Sequence, residues 1–180
     1  MSSNDLNERV KGLLDTALSR FIIQDYAESL NELKSALMLD KENPILLYNI
    51  GICYCRMGLY NSAIQYLNRL LKLSLTFIDT IDVKKVIAYA MLKTRDFQGA
   101  GGFLKELYQA APGDNQIINM YAYAHEKQKK YREAMELYKA IIDNEPEYYH
   151  AFNSLAYVMA LADTDLPEAL QNSVEIAKRC

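Results

Sequence analysis

The chain has 180 residues, of which 51% are apolar and 24% charged, and its net charge is −3. That apolar content supports a packed core in one domain or a tight pair and excludes general disorder. Residues 1–90 carry 10 basic and 10 acidic side chains, and residues 91–180 carry 10 and 13, so neither half offers the basic face that neutralises phosphates, and nucleic acid is not an expected partner.

Met1 to Arg9 is polar, with no apolar run behind it, and so shows no secretory signal. Gly and Pro are scarce, at 7 and 4 residues, and with abundant Leu, Ala, Lys and Glu this favours helices over strands. A first helical unit spans about residues 10–43. A second, about 44–77, sets Leu47, Ile50, Gly51 and Tyr54 on one helical face. After a turn at Gly58, Tyr60, Ala63, Ile64 and Leu67 form another such face. Cys53 and Cys55 are two apart and point to different sides of their helix. With Cys180 they make an odd number, which reads as reduced thiols. Neither His125 nor His150 joins them at ligand spacing, so no metal site is expected.

The stretch Leu70 to Ile81 is the densest in apolar residues, but Lys72, Ser74, Thr76 and Asp79 interrupt it. It falls short of the roughly 18 apolar residues that a membrane span needs. The expectation is a soluble, cytoplasmic chain with no membrane partner. The junction from Leu73 to Asp79 lacks a Pro or Gly stop, so the second helix of unit two is expected to run past Leu73. Phe77, Ile78 and Ile81 are then expected to be covered.

Units three to five follow at about 81–114, 115–148 and 149–180. Gly99-Ala100-Gly101-Gly102 superficially suggests a phosphate loop, but such loops lie between a strand and a helix, and these glycines sit early in a helix. They predict the chain's weakest helix instead, unless something packs close against it, at about 1 kcal/mol per glycine relative to alanine. Lys93 and Arg95, and Lys127, Lys129, Lys130 and Arg132, mark turns and read as solubilising charge. The acidic residues scatter over helical surfaces, and no pair of them suggests an acid and a base tuned apart. No catalytic residue, and no cofactor, is expected.

A period runs through these elements. The aromatic that opens the second helix of each unit recurs at Tyr26, Tyr60, Phe97 and Tyr131, spaced 34, 37 and 34, and Leu166 continues the series. Three residues beyond each lies a small residue: Ser29, Ala63, Ala100, Ala134 and Ala169. A second small column, Ala17, Gly51, Ala88, Ala122 and Ala156, is spaced 34, 37, 34 and 34. Both columns carry the same three-residue insertion in the same interval. Pro112 and Pro146 close two units. Each unit is therefore a helical hairpin that must stack on its neighbours to bury both faces.

The pattern resembles the tetratricopeptide repeat. Its best match is Leu47-x2-Ile50-Gly51-x2-Tyr54, then Gly58-x-Tyr60-x2-Ala63 and Leu71. The family's usual tryptophan is replaced by Leu13, Leu47, Lys84, Ile118 and Phe152, and its closing proline by Lys41 and Leu75 in the first two units. The resemblance implies an all-α fold, a right-handed superhelical solenoid of five helix-turn-helix repeats, forming a single domain over residues 1–180. It also implies a non-enzymatic scaffold whose first helices line a concave groove for a protein or peptide ligand. The groove residues would be Tyr48, Asn49, Ile52, Lys85, Tyr89, Asn119, Tyr123, Asn153 and Tyr157. Tyr89, Tyr123 and Tyr157 are spaced 34 apart and offer stiff apolar area with a polar tip, while the asparagine amides can pair with a ligand's backbone. The same tyrosines could equally fill gaps between first helices. Some family members grip chaperone C-termini with fixed Lys, Asn and Arg. Here Lys85 matches, but Tyr89, Met120, His150 and Ser154 stand elsewhere in that set, and Leu14 and Tyr48 fill the lysine place in the earlier units, so that role is not expected. The alternative function is self-assembly into a homo-oligomer through the C-terminal repeat, where Leu170, Val174 and Ile176 have no polar cap.

Overall fold

A computed structural model describes residues 3–73 and 79–162, which form nine α-helices and no strand. The chain divides into two compact units at Thr94 and Arg95. The first holds α1 (Ser3–Ile22), α2 (Tyr26–Leu39), α3 (Pro44–Arg56), α4 (Tyr60–Leu70) and α5 (Thr80–Lys93). The second holds α6 (Phe97–Ala110), α7 (Asn115–Lys127), α8 (Tyr131–Asn144) and α9 (Tyr149–Leu161). In each unit every helix packs on the next in chain order.

Short polar side chains start five of these helices. Asn43 accepts from the backbone N–H groups of Ile45 and Leu46 at 3.0 and 3.2 Å, and Pro44 opens α3, where a missing N–H costs nothing. Asp25, Asp79, Asp96 and Asp114 cap α2, α5, α6 and α7 in the same way. The turn between first and second helices has a common form. Gln24, Gly58, Arg95 and Lys129 all take a left-handed backbone, with φ of 64°, 74°, 64° and 61°. At three of these turns the next residue's N–H reaches back to the carbonyl five residues earlier (Asp25 to Arg20, Leu59 to Tyr54, Lys130 to His125), which closes the helix end.

Both small columns lie in the core. Ala17, Ala63, Ala88, Ala100, Ala122 and Ala134 are fully buried, and Ser29, Gly51 and Ala156 are buried too. Ala169 lies outside the described residues. At Gly51 the approach is closest: a Cβ there would lie 2.6 Å from Leu67 Cγ, so α3 and α4 touch through the missing methyl. Ser29 replaces alanine by donating its hydroxyl to the Ala17 carbonyl at 2.8 Å, so the polar group is satisfied inside the core. Around these contacts Leu33, Leu46, Leu47, Ile50, Leu67 and Leu70 fill the first unit, each side chain stabilising by about 1.5–3 kcal/mol when fully buried. Ile118, Tyr138, Ile141, Leu155 and Val158 do the same in the second.

One expectation needs correcting. α4 does not run past Leu73 but ends at Leu70. Its last turn tightens, with Lys72 and Leu73 donating to the carbonyls three residues earlier at 3.3 and 3.0 Å, a geometry that does not propagate far. Phe77 and Ile78 lie outside the described residues, and Ile81 is half-buried in the first turn of α5. The glycine-rich α6 runs for 14 residues. A brace lies against it: the Gln128 side-chain amide donates to the Phe97 carbonyl at 2.8 Å and sits 3.2 Å from where a Gly101 Cβ would be.

Candidate functional site

The expected groove residues fall on α3, α5, α7 and α9. In the first unit Tyr48, Asn49, Ile52 and Lys85 are half-buried, and Tyr89 is 41% exposed. Tyr48 on α3 faces α5. Burial first, and then the Asp82 carboxylate, push its hydroxyl above the usual tyrosine range. Lys85 pairs with Asp82 at 3.6 Å, and Asn49 donates its amide to the Ile45 carbonyl of its own helix at 2.8 Å. Tyr89 stands edge-on to Tyr60 of α4, with ring centres 6.1 Å apart, and the Lys93 ammonium lies 5.3 Å from its ring. The tyrosine is thus held on two sides while its remaining surface faces solvent.

The second unit repeats this arrangement. Tyr123, 38% exposed, meets Phe97 edge-on at 6.3 Å, and Lys127 lies 4.9 Å from its ring. Tyr157 is 53% exposed, Asn153 is exposed and Asn119 is half-buried. The lysine Nζ also pairs with Glu126 at 2.7 Å. The hydrogen bond to Glu126 is the chief reason that the Lys127 ammonium is held above its usual range.

The chain matches the tetratricopeptide repeat family over residues 24–74 and 91–156, more than half of its length. It belongs to the tetratricopeptide-repeat family. No curated protein matches it in sequence. Among solved structures it is similar to MamA from Desulfovibrio magneticus RS-1, at 20% identity, with 94% of each chain covered and a TM-score of 0.87. It is also similar to YrrB, described as a TPR protein with an unusual peptide-binding site, at 16% identity and a TM-score of 0.77, covering 91% of this chain and 84% of that one. At these identities the likeness is one of fold.

The repeat frame explains residues that the spacing alone misplaced. Lys93 and Lys127 are not simply turn charge. Each stands four residues after a tyrosine, one helical turn on, which brings its ammonium over the ring. Glu126 is not on the helical surface but buried, at 7% exposure. Its position eight residues after Ile118 and four after Ala122 puts it on the packed face of α7, a signal present in the sequence. Its carboxylate is compensated by Lys127 and lies within hydrogen-bonding reach of the buried Tyr138 hydroxyl. Burial, more than any neighbour, holds that hydroxyl well above its usual range, and Ser154 of α9 also bonds it.

His125 is half-buried beside Tyr121, with ring centres 4.5 Å apart, and its Nδ1 has no hydrogen-bond partner. Desolvation, and then Lys130, lower its pKa. Cys53 and Cys55 are free thiols. Cys53 is buried 3.5 Å from the Ser29 hydroxyl, and burial pushes the half-buried Cys55 thiol up to about 11. Among the described residues no group of three His, Cys, Asp or Glu could hold a metal, and no helix is long and apolar enough to cross a membrane.

Proposed function

We propose that this chain is a protein-interaction scaffold without catalytic activity, and that an extended peptide or partner helix docks on the tyrosine and asparagine face of its first helices. The observation that carries the reading is the state of Tyr89, Tyr123 and Tyr157. The three rings occupy equivalent repeat positions yet remain 41%, 38% and 53% exposed, and the first two are each held by an aromatic edge and a lysine. Holding a large side chain still while leaving it half in water reduces the entropy a ligand must overcome on binding. Such aromatics are favoured anchors of binding energy. YrrB, a tetratricopeptide-repeat protein with a peptide-binding site, lends the same reading support by its likeness of fold. The rival reading, self-assembly through the C-terminal repeat, rests on Leu170, Val174 and Ile176, which lie outside the described residues.

The test is replacement of Tyr89, Asn119 and Tyr123 together by alanine. Each anchor lost is expected to weaken partner binding by about 2 kcal/mol. The helix content by circular dichroism is expected to stay near that of the wild type, because all three side chains are partly solvated. A folded triple variant that still retains every partner in a pull-down would move the binding site off this face.

A further inference from the structure

The second helices of the first unit carry a cleft of their own. Lys34, Leu37 and Met38 of α2, Lys41 just beyond it, and Tyr66 and Arg69 of α4 line an open cleft of about 470 Å³. None of these residues belongs to the tyrosine face, so the cleft does not depend on the function proposed above. Its floor is apolar: Leu37 is 8% exposed, while Met38 stands 77% exposed at the lip. Besides the Tyr66 hydroxyl, its polar side-chain groups are cations. Arg69 donates from Nη2 to the Lys41 carbonyl, which ties α4 to the loop after α2 and fixes the guanidinium at the rim. Lys34 reaches over the Tyr54 ring, 5.3 Å from its centre.

Charge distinguishes this cleft from the rest of the surface. The whole chain is acidic, at −3. Lys85 and Lys127 each have a carboxylate at 3.6 and 2.7 Å. No carboxylate lines the cleft, and among the described residues none pairs with Lys34, Lys41 or Arg69. Three cations thus border an apolar floor with no carboxylate among them, and a guanidinium and two ammonium groups suit the carboxylates of a ligand. The volume falls within the range of small-ligand pockets, enough for one or two side chains. Three cations at one place do not make the continuous basic track that a nucleic-acid backbone asks for.

We propose that the cleft docks an acidic peptide segment, one that seats a bulky apolar side chain on Leu37 and Met38 while its flanking carboxylates meet Lys34, Lys41 and Arg69. The probe is a display library of random peptides selected on the full chain, with enriched sequences then measured by fluorescence anisotropy. Peptides bearing Asp or Glu next to Leu, Met or Phe are expected to enrich. Their affinity is expected to fall at least about tenfold in the double variant Lys34→Glu, Lys41→Glu, and likewise in Met38→Glu. Met38→Glu alters an exposed side chain and so spares the fold. Binding should weaken with added salt and persist when Tyr89, Asn119 and Tyr123 are all alanine, which separates this site from the tyrosine face. The proposal is overturned if the enriched peptides carry no acidic residues, if both cleft variants bind them as the wild type does, or if only the triple alanine variant loses them. It is equally overturned if the cleft variants lose anionic lipid vesicles or a single-stranded oligonucleotide instead of acidic peptides.

Discussion

At position 51 a hydrogen is required because Leu67 occupies the space a methyl would take. An alanine Cβ would come within 2.6 Å of two Leu67 carbons, and Leu67 is itself fully buried. Alanine gains about 1 kcal/mol of helix propensity over glycine, but overpacking costs about 1–3 kcal/mol. Gly51→Ala is therefore expected to lower the midpoint of urea unfolding rather than raise it. Ala63→Arg or Ala134→Arg should do far more, since both sites are fully buried and an unpaired charge adds several kcal/mol. His125 gives a signal in pH. Its folded pKa lies below the unfolded value, so the unfolded chain takes up the proton more readily. Stability is then expected to be fully present above the unfolded value, near 6.5, and to decline as pH falls from there through the folded pKa. In His125→Gln that part of the decline should vanish, and an unchanged pH profile would show that His125 is not its source.

Helices and turns differ in how plainly they can be read. The starts of the second helices were legible, since Tyr26, Tyr60, Phe97 and Tyr131 each stand as the first residue of theirs. The helix ends were less so. Gly58 announces its left-handed turn, but Gln24, Arg95 and Lys129 adopt the same backbone without any side chain that favours it. At Gln24 and Lys129 the repeat imposes that conformation through the closing hydrogen bonds. A non-glycine residue there carries about 1–2 kcal/mol of strain, which glycine removes at an entropic cost of about 0.4–1 kcal/mol in the unfolded chain. Lys129→Gly is thus expected to raise the melting temperature slightly, by the equivalent of about 0.5–1 kcal/mol, and Gly58→Ala to lower it by about as much. The opposite signs would mean that the turns are not set by the backbone. The early end of α4 was illegible because no residue from Leu70 to Leu73 is a breaker; the tightened hydrogen bonding there is a property of the folded chain.

Over the whole molecule, the fold was legible because its signal is a period. Two columns of small residues with one shared insertion need no knowledge of any single contact, and among the described residues all their members are buried. The tyrosine positions were legible for the same reason, though not their support. The edges of Tyr60 and Phe97 and the ammonium groups of Lys93 and Lys127 come into play only once helices pack. The basic cleft had no periodic signature at all. Its residues come from two helices of different repeats and the loop after the first, and no spacing gives the distance between them. The two surfaces predict separable losses. A chain altered on the tyrosine face should keep the ligands of the cleft, a chain altered in the cleft should keep those of the tyrosine face, and only the combined variant should lose both. A pull-down with all three would show one shared site instead if either single set removed everything.

The two thiols on α3 make a clock for how often that helix opens. Alkylating reagents attack thiolate, and the folded chain suppresses it twice over, by enclosing Cys53 and by raising the Cys55 thiol to about 11. In a Cys180→Ser background, iodoacetamide should therefore modify the native chain far more slowly than a small free thiol, and Cys53 more slowly than Cys55. The rate at Cys53 would then report the population of chains whose α3 has come away from its neighbours, rising with urea well before the bulk helix signal changes. Equal and rapid modification of both cysteines would mean that α3 is not held closed.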